Sequence, residues 1–147
     1  MHHRVFVYGT LLRGEVNHHL LAGAVLLGPH RTPAAFTLYD LGTYPGLVRG
    51  GVTAVLGEVY RIDGTAMIRL DALEEYPRLY GRFLMPTPYG SSWIYHYRGD
   101  VRGRPAIRSG NWRDLTRDRD SVRAGAIRNR RNAKTQTRRQ ALRSAPA

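Results

Sequence analysis

The sequence contains no cysteine. Disulfides, thiolate nucleophiles and zinc–thiolate sites are therefore excluded. Lysine is almost as scarce, since only Lys134 stands among the 23 basic residues. No apolar run approaches the roughly 18 residues that a membrane helix requires. The opening Met1-His2-His3-Arg4 leads straight into a short apolar strand, with no signal-peptide hydrophobic region ahead of it. The expectation is a soluble, cytoplasmic protein without membrane association. A Gly-x-Ser-x-Gly elbow and a phosphate-cradling glycine-rich loop are both missing. The histidines have no ligand spacing: His18 and His19 are adjacent and would face about 100° apart on a helix. His2, His3, His30 and His96 are scattered. Neither a metal, nor a nucleophilic serine, nor a cofactor is expected.

What is present is a chain of 147 residues, 42% hydrophobic and 10% aromatic, which fits one globular domain with a real core. Its net charge of +12 is unevenly spread. Residues 1–115 carry 13 Lys+Arg against 9 Asp+Glu, whereas residues 116–147 carry 10 against 2. The division expected from this is a folded domain over 1–115 and an arginine-rich tail over 116–147. In the tail Val122, Ile127 and Leu142 are isolated among polar residues, too sparse for a core, so disorder is expected there. Such a tail would attract polyanions weakly and without sequence preference. The body has no aromatic RNA-binding motif and no recognition helix.

Along the body, Arg4–Tyr8 reads as a buried strand ending at Gly9. A short helix is expected over Val16–Ala22. Strands follow over Ala24–Leu27 and Ala35–Leu41, broken by Gly28-Pro29 and Pro33. Residues 42–46 read as a loop by composition. Thr53–Ile62 reads as a strand interrupted at Gly57. A helix capped by Asp63 or Thr65 runs to about Glu75 and cannot continue through Pro77. Arg82–Met85 and Ser92–Arg98 pair as strands, the second with an aromatic face from Trp93, Tyr95 and Tyr97. Arg104–Trp112 is a loop ending in an aromatic anchor. Roughly six short strands and two helices make an α+β, mainly antiparallel domain.

Three clusters carry chemistry. Tyr8-Gly9-Thr10-Leu11 follows a buried strand, where a glycine lets backbone approach a ligand and consecutive N–H groups can form a nest. It reads equally as a plain turn. On the helix, at about 100° per residue, Ala66, Met67, Leu70 and Leu73 define an apolar arc that contains Glu74, while Asp71 and Glu75 fall off it. A carboxyl in that arc, in the last helical turn, is disfavoured as an anion by burial and by the helix dipole. Both effects raise its pKa, as general acid/base work requires. The alternative is a helix-end glutamate turned to solvent or paired with Arg78 or Arg82. Third, Tyr76, Pro77, Tyr80 and Arg82 follow the helix, either as polar ligands for a substrate or as an aromatic core edge with a salt bridge.

Together Val5-Phe6-Val7-Tyr8-Gly9-Thr10-Leu11, Asn17, Tyr44-Pro45-Gly46, Gly57-Glu58-Val59-Tyr60, Leu70-Asp71-x-Leu73-Glu74-x-x-Pro77, Tyr80-x-Arg82 and Ser109-Gly110-x-Trp112 occur in a telling order. They resemble the gamma-glutamylcyclotransferase-like family, in particular its gamma-glutamylamine cyclotransferase and AIG2-like branch. The resemblance spans about residues 4–113. It departs at Glu75-Tyr76, where many members have a glycine after the glutamate. The stretch Met85–Ser92 is also short, so one edge of the pocket is expected to differ.

The resemblance implies an α+β fold with a small mixed, mainly antiparallel, β-barrel-like sheet and flanking helices. It implies Glu74 as the catalytic acid/base, with Tyr8, Gly9, Thr10, Leu11, Asn17, Tyr44, Pro45, Gly46, Tyr80 and Arg82 binding substrate. The implied reaction is an intramolecular attack of the α-amine of a gamma-glutamyl group on its own γ-carbonyl, giving 5-oxoproline and a free amine. Such a reaction calls for no metal and no cofactor. The alternative reading is a non-catalytic binding or interaction module of the same fold with a polyanion-binding tail.

Overall fold

The computed structural model describes residues 2–117. The first strand, β1 (His2–Val7), ends in the buried run Val5-Phe6-Val7. A 3-10 turn over His18–Leu21 follows, then β2 (Val25–Arg31), β3 (Phe36–Asp40), β4 (Pro45–Arg49) and β5 (Leu56–Asp63). Helix α1 (Gly64–Leu73) leads to β6 (Tyr80–Met85) and β7 (Ser92–Tyr97), and among the described residues, 112–117 form a further helix, α2.

Five strands make one sheet in the order β2-β5-β1-β7-β6, and β3 and β4 form a separate hairpin. All pairings are antiparallel except β1 with β7, which is parallel through Val5↔Trp93 and Phe6↔Ile94. The α+β, mixed and mainly antiparallel expectation therefore holds. The sheet is open, with β2 and β6 at its edges, and does not close into a barrel. Its core joins Phe6, Val59, Ile62, Leu70 and Ile94 to Leu38 and Leu47 of the hairpin.

Several local expectations need correction. The helix expected over Val16–Ala22 is only the 3-10 turn, because Asn17 directs its side chain back to Thr10 instead of capping. Strand β2 does not stop at Gly28-Pro29: the register shifts between Leu26 and Gly28, and Gly28 adopts φ 151, which its missing Cβ permits. Pro29 is tolerated because β2 is an edge strand. Residues 45 and 46, assigned to a loop, open β4, with Pro45 as first strand residue. Gly57 lies within β5 rather than breaking it. A Cβ there would stand 2.2 Å from the Val7 carbonyl oxygen, so the sequence tolerates only glycine at this crossing.

Helix α1 begins as expected, with the Asp63 carboxylate accepting the Ala66 N–H at 2.8 Å. It ends earlier than Glu75. Glu74 is the C-cap, Glu75 turns to φ 50, the Tyr76 N–H donates to the Asp71 carbonyl and the Glu75 N–H to that of Ala72. This is a Schellman ending, whose left-handed position is usually glycine. Thr116 and Arg117, assigned to the tail, belong to α2. The rest of the arginine-rich segment lies outside the described residues.

Candidate active site

Strand β1 delivers Tyr8 and the loop that follows it to the end of the parallel β1–β7 pair. The loop is closed on itself. Leu12 N–H donates to the Gly9 carbonyl at 3.1 Å and Asn17 N–H to the Thr10 carbonyl at 2.8 Å. The buried Asn17 side chain adds a hydrogen bond from Nδ2 to Thr10 Oγ1 at 3.0 Å. Leu11 sends its side chain into the core, and His18 Nδ1 lies 3.0 Å from its carbonyl oxygen. The side chains of Thr10 and Leu11 are therefore both engaged within the protein.

Glu74, the C-cap of α1, has no solvent exposure. The apolar-arc expectation is met, and the solvent-facing alternative is not. Arg78 pairs instead with Glu75 on the surface, and Arg82 with Asp71. Three tyrosines respond to the Glu74 charge. Burial pushes the Tyr8 hydroxyl well above the usual tyrosine range and Glu74 adds to this, against a smaller lowering by the Leu47 backbone. Tyr80 is likewise raised by burial and then by Tyr8, Glu74, Tyr44 and Tyr97. Tyr95 is raised by burial first, then by its hydrogen bond to Asp71 and by the charges of Asp71 and Glu74. All three stay protonated donors at neutral pH. Tyr8 donates to the Tyr95 carbonyl and Tyr80 to the Pro45 carbonyl, both at 2.7 Å.

The hairpin adds contacts to Tyr80 and Tyr97. Pro45 holds Tyr80 through its carbonyl, and Gly46 packs so closely on Leu41 and Tyr97 that a Cβ would stand 2.8 Å from Leu41 Cδ1. Tyr44 is half-buried beside Tyr97 and Arg104, its hydroxyl raised chiefly by burial. Of the residues expected to bind substrate, Tyr8 and Tyr80 thus feel the Glu74 charge, Tyr44 lies near Tyr80, and Pro45 holds Tyr80 through its carbonyl. Arg82 is the exception. Its guanidinium, 17% exposed as a side chain, is engaged with Asp71 rather than offered to a ligand. Among the described residues no group of three or more His, Asp or Glu is arranged to hold a metal.

The family model described as gamma-glutamyl cyclotransferase, AIG2-like, matches residues 5–114. The chain belongs to this family. The gamma-glutamylcyclotransferase family protein YtfP of Escherichia coli K12 is 47% identical over 111 residues, covering 76% of this chain and 96% of that protein. The solution NMR structure of E. coli ytfP superposes with a TM-score of 0.63 at 45% identity, over 77% of this chain and 98% of that one. The crystal structure of a mouse AIG2-like protein does so with a TM-score of 0.64 at 28% identity, over 74% and 87%.

Within this family member, sequence reasoning missed the groups that hold the site in shape. Asp71, Tyr95, Glu58 and Arg113 were given no role. Glu58 Oε1 accepts the Arg13 N–H at 2.9 Å and the Tyr60 hydroxyl at 3.1 Å, and its Oε2 lies 3.3 Å from Arg113 NH2. Arg113 also donates to the Arg13 carbonyl at 2.7 Å. The Arg13 peptide is thus gripped at both ends, anchoring the loop that carries Thr10 and Leu11. A signal existed for Glu58: a single carboxylate inside the apolar run Val55-Leu56-Gly57-Glu58-Val59-Tyr60 must find partners. Among the described residues no helix is long and apolar enough to cross a membrane.

Proposed function

We propose that the chain is an amine-releasing gamma-glutamyl cyclotransferase with Glu74 as its acid/base. The observation that carries this reading is a fully buried carboxyl, Glu74, whose charge acts on the buried, protonated Tyr8 and Tyr80. A buried carboxyl is disfavoured as an anion, which suits a group that must both accept and return a proton near neutral pH.

In the proposed reaction the substrate's α-ammonium loses a proton to Glu74, and the freed amine attacks the γ-carbonyl carbon of the same molecule. The new C–N bond closes the five-membered ring. The bond to the departing nitrogen then breaks as that nitrogen takes a proton from Glu74. By completion the attacking nitrogen has shed two protons and the leaving nitrogen has gained two, so 5-oxoproline and an ammonium ion result. Both reacting atoms belong to one molecule, so holding them in attack geometry is the main catalytic task. Tyr44, Tyr80 and Tyr8 are the groups we assign to holding it, with Asn17 setting the loop. The backbone N–H groups of Gly9, Thr10 and Leu11 are assigned to the developing oxyanion.

Incubation with a panel of gamma-glutamyl amines, monitored for 5-oxoproline, tests the proposal. Wild type should turn over at least one, and Glu74→Gln should lose about 10²–10⁴-fold in rate with its fold intact. Tight binding of the panel without any 5-oxoproline would instead favour the non-catalytic module.

A further inference from the structure

The chain reverses sharply at Glu74, and one side chain from the neighbouring strand touches it on both sides of the reversal. Arg82 Nε lies 3.0 Å from Asp71 Oδ1 and Arg82 NH2 3.1 Å from Asp71 Oδ2, a two-pronged contact three residues before Glu74. The Arg82 guanidinium carbon also stands 4.3 Å from the ring centre of Tyr76, two residues after Glu74. A third contact of 4.3 Å goes to the Trp93 ring on β7. We propose that Arg82 is a positioning residue: by gripping residues 71 and 76 against β6 and β7, it fixes the chain reversal that carries the buried Glu74 carboxyl.

The grip reaches the site by a second route. Asp71 Oδ1 also accepts the Tyr95 hydroxyl at 2.6 Å, and the Tyr95 carbonyl accepts the Tyr8 hydroxyl at 2.7 Å. Arg82, Asp71, Tyr95 and Tyr8 therefore form one chain of contacts from the edge strand β6 to the buried Tyr8 at the end of β1. Only an arginine fills this place. Its planar fork engages both carboxylate oxygens while its faces lie on two aromatic rings, whereas a lysine offers one point charge. Asp71 and Arg82 are only partly exposed, 24% and 17% as side chains, so the pair is not a loose surface contact.

This inference rests on Glu74 being the acid/base, and the experiment separates the two. Arg82→Gln, Arg82→Lys and Asp71→Asn, with the Asp71→Asn/Arg82→Gln double variant, are compared with wild type for 5-oxoproline release and for amide hydrogen exchange. A positioning role lowers kcat about 10- to 100-fold with KM changed less than about threefold. Lysine recovers only part of the rate, and the double variant is no worse than its poorer single. Exchange of the amides of residues 74–76 should quicken at least about tenfold, while β1 and β5 keep their protection. Should Arg82→Gln fail to fold, Arg82→Lys carries the same comparison. A raised KM at unchanged kcat would make Arg82 a substrate ligand and overturn the proposal. Unchanged exchange over 74–76 would overturn it as well. If wild type releases no 5-oxoproline from any substrate, the functional reading falls, and the exchange measurement still decides the role of Arg82.

Discussion

At residue 75 the backbone and the side chain pull in opposite directions. The Schellman ending of α1 requires a left-handed residue after the cap, and Glu75 fills it at φ 50. An L-residue there is disfavoured by roughly 1–2 kcal/mol. Its ion pair with Arg78 offsets little, because both side chains are largely in solvent. Glycine would relieve the strain at an entropic cost of roughly 0.5–1 kcal/mol. Glu75→Gly is therefore expected to leave stability unchanged or raise it by up to about 1 kcal/mol. Glu75→Val should lower it by about 1–2 kcal/mol, since a β-branched side chain suits this backbone least. Urea unfolding of the two variants measures both. A stabilising valine would mean that the reversal is not left-handed in solution. The glycine that relatives were expected to carry here has its physical reason in this turn.

At the scale of elements, the loop after β1 depends on strand β5 through Glu58. Burial pushes the Glu58 carboxyl up, but the Arg13 N–H, the Arg113 charge and the hydrogen bonds from Tyr60 and Arg113 outweigh it and hold it below its ordinary value of 4.5. Its partner hydroxyl on Tyr60 is pushed up to about 12, by burial first and then by Glu58. A carboxyl depressed in the folded state stabilises fully above its unfolded pKa, and that contribution disappears as pH falls through the folded pKa. Glu58→Gln should therefore be less stable than wild type at pH 7, by about 1–2 kcal/mol for a charged hydrogen-bonded group. The gap should narrow as pH drops below about 4.5. Urea midpoints taken from pH 7 to pH 3 read this directly, and a constant gap would refute the account.

The same elements mark how far the sequence could be read. β-Branched and aromatic composition placed β1, β6 and β7, and the helical period of apolar residues placed α1. That period also put Glu74 inside the apolar arc, which the structure bears out. Strand β4 escaped because Pro45 and Gly46 are turn residues by composition, and only their pairing with Asp40 and Tyr39 of β3 makes them a strand start. The partners of Arg82 and Glu58 escaped for a related reason. They lie 11 and 55 residues away, at Asp71 and Arg113, and no local pattern announces a bond across that span.

For the whole molecule the open question is where the working unit ends. Charge and the sparseness of apolar residues put the boundary after residue 115, but α2 continues to residue 117 and is anchored at its start. Trp112 is 2% exposed in the core, and Arg113 clamps the Arg13 peptide and Glu58. Residues 118–147 carry 9 Lys+Arg against 2 Asp+Glu, so removing them takes the net charge from +12 to +5. Truncation after Arg117 is expected to leave cyclotransferase turnover and melting temperature as in the full chain. It should abolish most retention on heparin at low salt, since phosphate-like contacts act through counterion release. In the full chain that retention should fall steeply with added salt. Truncation after Asn111 should behave differently. It removes a buried tryptophan, which alone is worth about 3–5 kcal/mol, and frees the loop that carries Thr10 and Leu11. Activity and melting temperature should then fall together. If instead the longer truncation is harmless, α2 does not brace the site; if the shorter one cripples turnover, the basic segment takes part in it.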